Sequence, residues 1–230
     1  MKLNQSMKTT MSLAAAMGTL ALATSAQAAV IQPIDAREST AFSASRVATE
    51  ATNGNGLDDP TSVETGDPVP VTWTLHSNGG DDQWMSANVG SAVSDQWVMF
   101  DLGAAYQTDS MFFWNTFLAA TSRGISDMDV SFATSLDMPF ATALITDSNW
   151  GSTVNLTPAE GVVVDSKGAG ELLTYTSVSA RYVLFEVTAN HGDGSYVGMS
   201  EVRFISAVPE PTTTALLGLG GLALILRRRK

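Results

Sequence analysis

The sequence predicts an all-β fold, an antiparallel β-sandwich flanked by an N-terminal signal helix and a short C-terminal membrane helix. Three observations lead there. The middle of the chain is a series of short apolar runs separated by Gly and Asp turns, without the sustained 3.6-residue apolar period of a helix. Nineteen glycines are spread over 230 residues, more than a helical domain tolerates easily. The helix-like apolar stretches stand at the two ends, each beside basic residues.

The N-terminal 28 residues have the three parts of a secretory signal. Lys2 and Lys8 supply positive charge, Met11–Ala23 (MSLAAAMGTLALA) is apolar, and Ala26-Gln27-Ala28 has the small-x-small pattern that signal peptidase accepts. Cleavage is expected after Ala28, so that the body spans residues 29–207.

Within the body, Asn53–Pro70 is rich in Gly, Asp, Pro and Thr and reads as a long loop, and Gly79–Asp82 as a turn. Strands are expected at Gln96–Leu102, Asp109–Asn115, Asp127–Thr134, Ala141–Thr146, Gly161–Val164, Arg181–Thr188 and Val197–Ile205. In Asp127–Thr134 the alternation places Met128, Val130 and Phe132 on one face.

Charge and composition exclude several functions. The body holds six basic residues against 22 acidic ones, a balance of −16. Such a surface repels phosphate backbones, so nucleic acid is not an expected partner. There is no cysteine, which removes disulfides, thiolate catalysis and iron–sulfur clusters.

The C-terminus reads VPEPTTTALLGLGGLALILRRRK. Ala215–Leu226 is twelve apolar residues, short of the ~20 of a comfortable span. The arginines after it would stay on the cytoplasmic side and leave the body outside. Pro209-Glu210-Pro211, a short apolar segment and terminal arginines together resemble the PEP-CTERM sorting signal of Gram-negative bacteria. That resemblance implies an exosortase as processing partner, a transient anchor in the inner membrane through residues 208–230, and delivery to a cell surface or matrix rich in extracellular polysaccharide.

A second resemblance covers the body. Trp97-x-x-Phe100-Asp101-Leu102-Gly103, Phe113-Trp114-Asn115, Arg123-Gly124-Ile125, Ala180-Arg181-Tyr182-Val183 and Gly198-Met199-Ser200-Glu201-Val202-Arg203-Phe204 occur in the order found in discoidin-like, galactose-binding-like domains. It implies a jelly-roll sandwich with ligands held by loops at one end. The family's Ser-x-Asp-Gly turn is here Ser135-Leu136-Asp137-Met138, without the glycine.

Candidate chemistry follows from residue types. The segment NHGDGSY brings His191, Asp193 and Ser195 close in sequence, which is not the spatial arrangement of a catalytic triad. Asp58–Asp59 and Asp81–Asp82 are carboxylate pairs in loops, where acids are solvated or bind cations more often than they hydrolyse glycosides. No residue is assigned a catalytic role. Asn53, Asp58 and Asp59 offer hard oxygen ligands among glycines and suggest Ca2+. The resemblance adds Glu201, because the discoidin-like family often places a structural ion between an early loop and a Glu near the last strand. A sugar site needs an aromatic face and a few polar groups. His76, Trp84, Trp114, Asn115, Arg123, His191 and Asp193 are of the right types, in or beside loops, with core packing the competing role for each tryptophan. The expected function is a non-enzymatic carbohydrate-binding module; the alternative is a structural adhesion protein of a biofilm matrix with no specific small ligand.

Overall fold

The computed structural model describes residues 27–77, 80–117 and 121–208. Residues 1–26 of the signal segment, Ala26 among them, and the Pro209-Glu210-Pro211 tail with its expected helix lie outside these residues, while Ala28 lies within them. Among the described residues there are strands and single turns of 3-10 helix, and no helix long and apolar enough to cross a membrane.

The strands are β1 (Val30–Ile31), β2 (Asp35–Glu38), β3 (Trp84–Met85), β4 (Trp97–Asn115), β5 (Ile125–Ala133), β6 (Thr153–Leu156), β7 (Val162–Val164), β8 (Lys167–Ala169), β9 (Glu171–Asn190) and β10 (Gly198–Ser206). Their order is β1-β10-β4-β9-β5-β6, with β2 also on β4 and β3 also on β10; β7 and β8 form a separate hairpin. All named strand pairs are antiparallel.

Two strands serve both layers. The first half of β4 pairs with β2 and with the second half of β9, while its second half pairs with β10 and with the first half of β9. The ladder is interrupted between Asp101↔Tyr182 and Tyr106↔Ala180, where β4 carries extra residues. Such a bulge bends the strand and lets one sheet close over itself. Aromatic rings then meet across the layers: Phe100 stands 5.9 Å from Phe204, and Phe185 stands 6.2 Å from Phe204 and 6.5 Å from Phe113. Met128, Val130 and Phe132 of β5 join this core, as their alternation predicts.

The bend explains a sequence motif. Asp101 accepts the N–H of Gly103 at 2.7 Å and takes Arg181 in a two-pronged pair, both bonds 3.0 Å. Gly103 has φ +83°, a left-handed conformation that costs other L-residues energy. The Asp-Leu-Gly and Ala-Arg-Tyr-Val segments are thus the two sides of one clasp.

Both outer faces are covered. Phe112 and Trp114 lie with Val30, Leu57 and Val63 under the loop of residues 53–76. Met99 and Leu184 lie with Ala143 under residues 136–150. Ala141–Thr146, expected to be a strand, is a 3-10 turn at Phe140–Thr142 followed by further turns, and works as a lid for this second cluster. Ala143 is buried against the sheet without belonging to it, while Leu144 and Ile145 are exposed.

Candidate functional site

The structure separates the seven expected ligand contacts. Trp84 and Trp114 are both 0% exposed. Each indole N–H is used internally, Trp84 on Thr40 O and Trp114 on Thr74 O, both at 3.0 Å. Asn115 donates to Ile125 O (2.7 Å) and Ala159 O (2.8 Å) and accepts from Ile125 N–H and Thr116 N–H. These three are corrected to structural residues: Trp114 is covered by the loop of residues 53–76, Trp84 lies in the core and Asn115 is buried on the opposite face of β4 from Trp114, so they offer no face to a ligand. His76 is also buried, with Nδ1 on Ser77 O at 2.7 Å and its ring against Phe117. His191 is half-buried, with Nε2 3.2 Å from Pro158 O.

Arg123 and Asp193 do come together, and they gather other groups. Arg123 ends the 3-10 turn before β5, and Asp193 lies in the loop between β9 and β10. Arg123 Nε donates to Asp193 Oδ2 at 3.0 Å. Burial alone would raise the Asp193 carboxyl, but this bond and those from Ser195 N–H and Tyr196 N–H outweigh it and hold the carboxyl below its usual range. The Arg123 guanidinium lies over the Tyr196 ring at 4.6 Å. Tyr196 meets Phe42 edge to face at 5.7 Å, and Arg46 lies over Phe42 at 5.0 Å. Arg46 in turn reaches Asp81 at 3.4 Å. Both guanidinium groups point Nη1 at the sulfur of Met85, at 3.6 and 3.7 Å.

Backbone hydrogen bonds fix this arrangement. Phe42 N–H donates to Met85 O (2.7 Å), Met85 N–H to Arg46 O (3.2 Å), and Asp193 N–H to Ser122 O (3.1 Å). Phe42 is 48% exposed. The result is an aromatic and guanidinium patch on loops at one end of the sandwich. Phe42, Arg46 and Tyr196 escaped the sequence reading because they come from two loops about 150 residues apart with no shared motif. A different surface, a groove of about 430 Å³ lined by Val71, Trp73, Leu172 and Val208, is largely apolar, and Trp73 already stacks one face on Phe112 at 4.2 Å.

Residues 207–230 match the model of the PEP-CTERM protein-sorting motif. The chain carries an export-and-sorting tail. No curated protein matches it. Similar solved structures include chitosan-binding module 1 of a chitosanase/glucanase from Paenibacillus sp. IK-5, at 16% identity over 76% of this chain and 96% of that one, TM-score 0.46. A Streptococcus pneumoniae fucose binding module is 14% identical over 77% and 94%, TM-score 0.48. A mutant of the lectin binding domain of Lectinolysin complexed with Lewis b is 17% identical over 77% and 94%, TM-score 0.48.

The expected ion ligands are each engaged elsewhere. Asp58 holds Lys167 at 2.7 and 2.8 Å. Asp59 accepts from the Thr61 hydroxyl at 2.8 Å. Asn53 accepts from Asn55 N–H (2.7 Å) and donates to Glu50 (2.8 Å). Glu201 is fully buried; it pairs with Arg203 and accepts Gly54 N–H at 3.2 Å. Burial pushes its carboxyl up to about 7, against the pull of Arg203 and Gly54 N–H. Among the described residues no three His, Asp or Glu side chains converge as a metal-binding group.

Proposed function

We propose that this chain is an exported surface protein whose sandwich is a non-enzymatic carbohydrate-binding module, with extracellular polysaccharide as ligand. Signal peptidase and an exosortase are its processing partners, and the inner membrane holds it transiently. The sorting motif at residues 207–230 supports the route. The site rests on one observation, the patch of exposed Phe42 and half-buried Tyr196 with Arg46 and Arg123 over their rings.

The patch has the chemistry a sugar needs. Aromatic surface accepts the C–H face of a pyranose, and guanidinium N–H groups that are not spent on Asp81 or Asp193 can donate to hydroxyl or carboxylate oxygens. Asp193 sets the position of Arg123 and is itself locked by two backbone N–H groups, so the site is preorganised. A non-catalytic role agrees with the place of His191 and Ser195: the His191 ring faces Pro158 O, and Ser195 N–H is bound to Asp193.

The test is a binding titration of the full chain with polysaccharide from the bacterium that makes it. Saturable binding is expected. Tyr196→Ala and Arg123→Ala should each weaken it about tenfold, the loss of one aromatic or charge-assisted contact of about 1.4 kcal/mol. Binding that does not saturate would favour the structural adhesion role. Saturable binding indifferent to both substitutions would remove this patch as the site.

A further inference from the structure

The loop after β2 closes over the outer face of β10 around a buried positive charge. Carbonyl oxygens of Thr52, Val63 and Val202 and the carboxylate of Glu201 all converge there, an all-oxygen set of the kind a calcium ion takes. Their common partner is the guanidinium of Arg203. Its Nε donates to Val63 O at 2.9 Å; its Nη1 donates to Thr52 O at 3.1 Å, to Val202 O at 2.9 Å and to Glu201. The side chains of Arg203 and Glu201 are 1% and 0% exposed. Gly54, at φ +79°, wraps the loop so tightly that a Cβ there would lie 3.2 Å from Arg203 Nη2.

We propose that Arg203 stands in place of the structural ion that the discoidin-like resemblance implies, so that the chain's own guanidinium closes the loop and the domain needs no calcium. Charge and space both support this. One carboxylate is balanced by one guanidinium. A divalent ion among the same oxygens would add two positive charges beside a cation sealed from water, where screening is weak. The other acids nearby are already engaged: Asp58 is held by Lys167, and Glu50, near enough to act on Glu201, accepts from Asn53 and Asn55. A domain closed in this way keeps its loop in place when chelators or acidic polymers take up calcium outside the cell.

The same oxygens make a second expectation. Without the guanidinium, the Thr52 and Val63 carbonyls and Glu201 lose their cation, and a metal ion becomes the natural replacement. Arg203→Ala should therefore unfold at a lower temperature and regain part of the loss when calcium is added. Arg203→Lys should also be less stable, because a single ammonium cannot reach Val63 O and Thr52 O in the geometry of the fork.

The experiment is thermal unfolding of the full chain in millimolar calcium and in excess chelator, with terbium luminescence as a second readout. Trp114 stands opposite Glu201 in the ladder, close enough to sensitise a lanthanide bound there. The natural chain is expected to show the same Tm in both solutions and no sensitised terbium emission. An ion bound at a hundredfold excess over its Kd would raise Tm by about 5–10 °C. Such a rise in the natural chain, reversed by chelation, would overturn the proposal whether or not the Arg203 variants fold. An Arg203→Lys chain as stable as the natural one would overturn it too.

Discussion

His76 shows how one buried residue can couple the fold to pH. Its backbone bridges to Gly168 through bonds of 2.9 and 2.8 Å, tying the β7–β8 hairpin to the body. The ring must carry its proton on Nδ1 to donate to Ser77 O, which leaves buried Nε2 without a partner. Burial pushes the imidazole below its usual 6.5, outweighing the neighbouring carbonyls that favour the charged form. The unfolded chain therefore binds a proton that the folded chain refuses, and stability is lost as the pH falls below 6.5 towards the folded value. His76→Asn keeps an N–H for Ser77 and removes the titration. Melting between about pH 7 and 5 should then depend less on pH than in the natural chain; parallel profiles would clear His76 of this role. At this scale the sequence was only partly informative. Trp84 and Trp114 read as loop-side platforms because nearby Gly and Asp residues signalled turns, whereas their ring orientation depends on strand alternation and on acceptors 40 or more residues away. Arg203 was legible as a basic residue in a strand, but its partners Thr52 and Val63 are set by the tertiary fold.

At the scale of elements, strands with clean alternation or a long apolar run were legible, and short ones were not. Gln96–Leu102 and Asp109–Asn115 are the two ends of one strand, β4. The glycine that seemed to stop the first is the hinge that lets it continue into the other layer. Strands β1, β2 and β3 are two to four residues long, too short for a period to show, and are made by their partners β4 and β10. The hinge makes a sharp prediction. Gly103→Ala places a side chain at φ +83° and its Cβ 3.3 Å from Ile34, so the cost should be about 1–2 kcal/mol, or a Tm lower by roughly 2–8 °C. Gly194→Ala, at a glycine with open space around it, is the control and should leave Tm unchanged. Equal Tm values for the two variants would show that the clasp of Asp101 and Arg181 sets the bend without needing the left-handed residue.

At the scale of the molecule, the six basic residues of the body are all engaged. Five form ion pairs, and Arg37 donates to the carbonyls of Phe140 and Ala143. The acidic surplus, visible in composition, is therefore left as a surface property. The two ends of the body are bound together as well. β1 pairs with the last residues of β10, Ala29 N–H donates to the Ser206 hydroxyl at 2.8 Å, and Ser206 N–H donates back to Ala29 O at 2.8 Å. Val30 and Ile31 are 0% and 1% exposed. This limits where signal peptidase can cut without harm. Cleavage after Ala28 leaves the two-residue strand whole, while a cut even three residues later removes two buried side chains worth about 3–6 kcal/mol together. Two secreted forms starting at Ala29 and at Gln32 would report this directly. The first should melt as a single cooperative transition, the second roughly 10 °C or more lower, and mass spectrometry of the naturally exported protein should find Ala29 at its N-terminus. A natural N-terminus beyond Ile31 with undiminished stability would mean that β1 is an ornament on β10 and that the core closes without it.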